Sequence, residues 1–282
     1  MNYLKIVIIA LILVRNGLEG KVSLCIEIMS MQRHRILFVL ILSLVTQFCF
    51  SQKRDSSFHV AGAVTVTNKG ISLVPTFTLG KPATIFDLSM GKRKLYFEPQ
   101  LRFALEGKPW SFLFWWRYRL LSKNKMAVTL GAHPAMNFKT ETWSENGVSK
   151  SAIVTRRYLA GEFVPNYFIS KNVSVGLYYL YSHCFDQGTA ANTHFLTINS
   201  NFSRIKLINN VYLRFTPQFY YLNQDGKDGF YFTSTFTLIR PTFPLFLQSI
   251  INKTIQTEVP GSQNFVWNVS LIYSFNKKYV EP

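Results

Sequence analysis

Residues 265–275 alternate in side-chain character along their whole length. Phe265, Trp267, Val269, Leu271, Tyr273 and Phe275 fall on one parity, and Val266, Asn268, Ser270, Ile272 and Ser274, mostly small and polar, fall on the other. Successive residues of a strand point to opposite sides, so this segment is a strand with one greasy face and one wet face. Amphipathic segments of about ten residues recur upstream. The pattern predicts twelve strands, near 57–66, 71–79, 93–105, 110–121, 126–138, 153–167, 172–184, 192–203, 207–221, 229–239, 244–254 and 264–275. In 93–105, Leu95, Phe97, Pro99, Leu101, Phe103 and Leu105 oppose Lys94, Tyr96, Glu98, Gln100, Arg102 and Glu106. In 110–121, the apolar face is Trp110, Phe112, Phe114, Trp116 and Tyr118, against Ser111, Arg117 and Arg119.

The connectors carry a second regularity. Short ones at 122–125, 170–171, 203–206 and 240–243 alternate with longer ones at 139–152, 186–191, 223–228 and 257–263. An up-and-down antiparallel sheet with turns at one end and loops at the other gives this alternation. It fails near the start, where 68–70 is short and 80–92 is long, and 83–90 is a further candidate strand. Pro75, Pro99, Pro134, Pro165 and Pro217 fall inside the segments. Proline removes a ladder donor, so bulges or interrupted pairing are expected at these positions.

The first fifty residues follow a different pattern. Two apolar runs, 4–14 and 36–50, lie there, and the second follows Arg33, His34 and Arg35. A basic stretch, an apolar run and small residues before a cut read as a secretory signal peptide. Residues 1–51 are read as that signal, with cleavage between Ser51 and Gln52, residues 1–30 as a candidate upstream start, and 52–282 as one domain. A pair of membrane anchors is the alternative, but both runs are shorter than the roughly 20 residues a spanning helix needs.

Composition sharpens this reading. The chain has a net charge of +17 and 16% aromatic residues. Removing 1–51 takes away Lys5, Arg15, Lys21, Arg33 and Arg35 against Glu19 and Glu27, so the basic excess persists. Cys184 alone of the three cysteines lies beyond the cut, which excludes an intrachain disulfide in the exported chain. No apolar run beyond Gln52 approaches the length of a spanning helix.

The signal ending before Gln52, the aromatic-rich twelve-strand pattern and the closing F-V-W-N-V-S-L-I-Y-S-F resemble Gram-negative outer-membrane β-barrel proteins. The resemblance covers roughly 57–275 and is one of architecture, without a characterised subfamily. It implies an all-β fold: a single up-and-down antiparallel transmembrane barrel, integral to the outer membrane and in contact with its lipids. Phe265, Trp267, Val269, Leu271, Tyr273 and Phe275 would then form the signal read by the barrel-assembly machinery. The tail 276–282 departs from the pattern, since many members end on the aromatic.

Charged groups are costly against lipid and must face the lumen or the rims. The lumen-lining candidates are Glu98, Arg102, Arg117, Arg119, His133, Arg156, Glu162 and Arg214. Two uses of such a wall stand side by side. Arginines can select small anionic solutes through charge-assisted hydrogen bonds, making a narrow channel, or arginine and glutamate can pair into a filling that conducts nothing. A third reading is a lipid-facing acyl hydrolase using His183 or His194 with Ser182 or Ser200. A structural or surface-binding barrel and a soluble lipocalin-like barrel complete the alternatives. No enzyme motif is present, no catalytic residue, metal site or cofactor is expected, and the turn lysines suit lipid headgroups better than nucleic acid. The oligomeric state and any solute's identity are not legible.

Overall fold

A computed structural model describes residues 57–241 and 243–279. The predicted signal and its cleavage point lie outside the described residues. The remainder is one closed antiparallel barrel of twelve strands, each paired with its sequence neighbours and the last with the first. The strands are β1 (Phe58–Thr67), β2 (Ala83–Lys92), β3 (Leu95–Ala104), β4 (Pro109–Ser122), β5 (Met126–Glu145) and β6 (Val148–Phe168). They continue as β7 (Val173–Cys184), β8 (Asn192–Ile208), β9 (Val211–Gln224), β10 (Lys227–Ile239), β11 (Leu245–Thr257) and β12 (Phe265–Tyr279). Among the described residues, no helix is long and apolar enough to cross a membrane.

The alternation in β12 becomes a division between inside and outside. Phe265, Trp267, Val269, Leu271, Tyr273 and Phe275 are exposed on the outer wall, while Val266, Asn268 and Ser270 are buried within. Exposed apolar side chains continue around the wall, among them Leu95, Trp116, Leu159, Phe163, Ile198 and Phe219. This inverts a soluble barrel and removes the basis for the lipocalin-like alternative: the greasy side faces away from the protein. Eleven residues at about 3.4 Å each, tilted near 40°, span roughly 29 Å, enough to cover the ~25 Å apolar girdle of a membrane barrel.

The first and last described residues share one end, since Phe58 pairs with Tyr279 and with Lys92. At this terminus end the connections are short: 93–94, 123–125, 169–172, 209–210 and 240–244. The opposite end carries 68–82, 105–108, 185–191 and 258–264 and two tight hairpins. Asn146-Gly147 and Asp225-Gly226 take φ of 52° and 76°, and 48° and 84°, the doubly left-handed turn whose twist matches paired strands. The expected loops 139–152 and 223–228 are therefore strand extensions around these turns. The expected turn 203–206 lies inside β8, and the chain reverses at 209–210 instead.

The largest correction concerns 68–82. The expected strand 71–79 does not form, and 83–90, left as a candidate, belongs to β2. Residues 68–82 instead make a loop with a single 3₁₀ turn, Pro75–Phe77, folded into the mouth opposite the termini. Its neck is closed by Gly70 N–H donating to Lys81 O at 2.7 Å and by Leu79 and Gly80 N–H donating to Gly70 O. Leu73 and Val74 pack on a buried cluster of Phe195, Tyr220, Leu222, Tyr231 and Val259. The apolar character of 71–79 comes from plugging a barrel, not from spanning a bilayer. At the start of the chain this replaces the expected short and long connectors by a long 68–82 followed by a short 93–94.

Four prolines acquire a common explanation. Pro99, Pro134, Pro165 and Pro217 share the parity of their strands' outward residues, and each keeps its partner on one side: Phe114, Leu159, Val128 and Ser234. On the other side the ladder skips the proline and one residue beside it, opposite Leu88, Phe114, Leu177 and Ser200. In an antiparallel strand a residue's N–H and C=O point to the same neighbour, so a missing donor harms one seam alone. Pro75 is not in a strand and opens the 3₁₀ turn.

Candidate functional site

Beneath the loop 68–82 lies a cavity of about 900 Å³, bounded above by Leu73, Val74 and Phe77 and reaching towards the terminus end as far as Ala61, Ser89 and Asn276. Its wall has two unlike arcs. The β2–β7 arc carries the charge. Arg117 on β4 donates from Nε to Glu162 Oε1 on β6 at 2.6 Å and from Nη1 to Glu98 on β3. Glu162 also accepts the Tyr178 hydroxyl at 2.9 Å, and Glu98 accepts Ser89 Oγ at 2.8 Å. The Glu162 side chain is 1% exposed, that of Arg117 28%. Gly131 faces Glu162 across the seam, where a Cβ would meet the carboxylate at 2.7 Å, so the glycine makes room for the ion pair.

Around this pair, the Arg117 guanidinium lies 4.3 Å over the Trp115 ring, and Trp115 packs on His133 at 3.8 Å between centroids. Arg102 donates from Nε to Gln100 Oε1 at 2.7 Å, and Gln100 in turn donates to Asp87. The opposite arc, β8–β12 with β1, presents hydroxyls and amides at this depth. Thr65, Thr197, Thr233, Thr237, Asn252 and Ser270 are all buried there.

The sequence-derived candidates face inward but fall into three groups. Glu98, Arg102, Arg117, His133 and Glu162 line the cavity. Arg156 sits at the loop end, bonded to Glu141 and reaching Gln187 O. Arg119 and Arg214 sit towards the terminus end, Arg119 over the Tyr96 ring at 3.9 Å. Arg204, over the Tyr212 ring at 5.0 Å, and Lys206, paired with Tyr212, join them at that mouth. Among the described residues, none of these four cations has an acidic ion-pair partner.

Several residues escaped the candidate set. Asp87 was hidden in the unassigned 83–90. Trp110, expected on the lipid face, is buried, because the β3–β4 register shifts beside it and one extra residue turns it inward. Its indole N–H donates to Phe77 O at 2.8 Å and pins the loop to the wall. Leu105 and Glu106 lie past the end of β3, where Glu106 meets Lys81 and Lys108.

The hydrolytic pairings are not assembled. Ser182 is on the lumen side, one register from Tyr181 and His183, which bond Asn192. His194 shares the outer phase and meets the Tyr179 hydroxyl at 2.9 Å. Ser200 lies six residues further along the same strand, roughly 20 Å away. Among the described residues, no group of three or more His, Cys, Asp or Glu is placed to hold a metal ion.

No family model matches this chain, and no curated protein matches it in sequence. Its fold is similar to those of bacterial outer-membrane β-barrels. The COG4313 outer membrane channel from Pseudomonas putida F1 is 13% identical at a TM-score of 0.44, covering 80% of this chain and 97% of that one. The NanC porin is 12% identical at 0.41, covering 80% and 100%. OmpT, an outer membrane protein of Vibrio cholerae, is 7% identical at 0.39, covering 79% and 99%.

Proposed function

We propose that this chain is an integral outer-membrane barrel acting as a narrow channel for small anionic solutes, with 68–82 as its constriction. The observation that carries this reading is the 900 Å³ cavity under a loop whose tip is held by the Trp110 indole N–H on Phe77 O, the Phe77–Tyr158 ring contact and a small apolar cluster. Such a volume suits a solute of modest size. The anionic preference rests on Arg119, Arg204, Lys206 and Arg214 at the terminus-end mouth. The guanidinium at mid-depth contributes little to it, because Glu98 and Glu162 already neutralise Arg117.

Planar-bilayer recording of the refolded barrel tests both parts. The native chain is expected to conduct weakly, and Phe77→Ser with Trp110→Ala to conduct several-fold more. In a salt gradient the reversal potential should favour chloride. Arg119→Gln with Arg204→Gln and Arg214→Gln should move it towards zero. Folded protein passing no current in either the native or the loosened form would reject the channel.

A further inference from the structure

We infer that the terminus-end rim is a binding surface for anionic phospholipid headgroups. Arg93, Lys94, Lys123, Lys125, Lys171 and Arg240 all lie in its short turns. Among the described residues, none of them has an acidic ion-pair partner, and no Asp or Glu lies in those turns. The loop end differs. There Lys108 meets Glu106, Lys150 meets Glu145, and Arg157 meets Asp186. Several loop-end cations are thus paired within the protein, whereas among the described residues these six rim cations have no acidic partner.

The position of the rim says what that partner is. Each turn adjoins exposed apolar side chains of the outer wall: Leu95 beside Lys94, Met126 beside Lys125, Ile169 near Lys171 and Phe243 near Arg240. The Lys94 amine reaches Leu120 O at 3.5 Å and lies 6.0 Å from the Tyr118 ring. Amines at the edge of a greasy band meet lipid headgroups, where their stems stay in apolar surroundings and their charges reach phosphate. Backbone strain points the same way. Arg93 holds φ of 60°, a conformation that the loop-end hairpins give to Asn-Gly and Asp-Gly, so a cation sits where a cheaper turn residue would serve. Negative headgroup charge distinguishes anionic from zwitterionic lipid and makes the attraction sensitive to salt.

The test uses the refolded barrel in vesicles of phosphatidylcholine and phosphatidylglycerol, with spin-labelled versions of each lipid to measure relative association at the protein surface. The expected preference for phosphatidylglycerol is about threefold at low salt, falling towards unity in 1 M NaCl. Arg93→Gln with Lys94→Gln, Lys123→Gln, Lys125→Gln, Lys171→Gln and Arg240→Gln should abolish it while heat-modifiable gel mobility is kept. Lys81→Gln with Lys108→Gln and Lys150→Gln, at the other end, should leave it intact. No preference in the native protein overturns the proposal, as does a preference that survives the rim variant. Inorganic phosphate displacing the labelled lipid at low millimolar concentration would also overturn it, by marking a site for free anions. If the rim variant fails to fold, the native salt and lipid ratios still decide. None of these outcomes depends on whether the barrel conducts.

Discussion

The two arcs of the lumen wall do the same structural job with different chemistry. On the β2–β7 side, Glu98, Arg117, Glu162 and Tyr178 form one hydrogen-bonded chain across four strands. On the opposite side, contacts are short and separate: Tyr220 with Asn252, Thr233 with Ile251 O, Gln248 with Thr237. A neutral donor removed from the second wall strands one partner. A charge removed from the first strands several, one of them a guanidinium. Both arcs anchor the constriction: Leu73 and Val74 rest on the neutral arc, where Asn268 Nδ2 also donates to Lys69 O, while Phe77 packs on Tyr158 and takes the Trp110 N–H on the charged one.

That difference can be broken at graded positions. Glu162→Ala should have the largest effect, about 3 kcal/mol of unfolding free energy, because it leaves Arg117 and Tyr178 facing each other without their shared acceptor. Arg117 is partly exposed, which keeps the loss at the low end for a buried pair. Urea unfolding followed by gel mobility would measure it, and a loss below 1 kcal/mol would erase the distinction between the arcs. Tyr220→Phe, a comparable deletion on the neutral arc, should cost about 1 kcal/mol by leaving Asn252 short of a partner. Trp110→Phe keeps a six-membered aromatic ring but removes the bond to Phe77 O and the buried remainder of the indole, so global stability should also fall by about 1 kcal/mol. Its signature should be more frequent opening in bilayer recordings.

The smallest effect concerns pH at the loop end. Arg157, through side-chain and backbone hydrogen bonds, holds the Asp186 carboxyl below its ordinary value. Asp225 is held low chiefly by the backbone N–H of Asn192 and of Ala191. A depressed folded value means the stabilisation is complete above the unfolded pKa, near 4, and is lost as pH falls through the folded one. Relative to the intrinsic amide exchange rate at each pH, the protection of 185–191 should therefore be unchanged from pH 7 to about 4 and fall below it. Salt should shrink that loss at Asp186, which has a cationic partner, more than at Asp225.

Much of this barrel is legible in the sequence where local parity decides. β12, β3, β9 and β10 declare their faces, because lipid outside and a wet lumen inside impose a period of two. Segment 71–79 misleads because an apolar plug and an apolar strand have the same composition, and only pairing separates them. Trp110 misleads because a single bulged residue reverses parity, and no residue type marks it. Parity assigns Glu98, Arg117 and Glu162 to the lumen, but their meeting depends on the stagger between β3, β4 and β6, which is a property of the closed barrel. The Asn146-Gly147 and Asp225-Gly226 pairs are two-residue hairpin signals, where the length of the polar stretch around them suggests longer loops.

The seam joining β1 to β12 runs from Phe58 opposite Tyr279 to Thr67 opposite Ser270. Its two halves are almost the whole chain apart, so the first strand to emerge must wait for the last before it can be zipped. Until then the sheet has two raw edges, each able to capture a stranger's strand. The barrel's last edge is therefore covered only when the final strand meets the first.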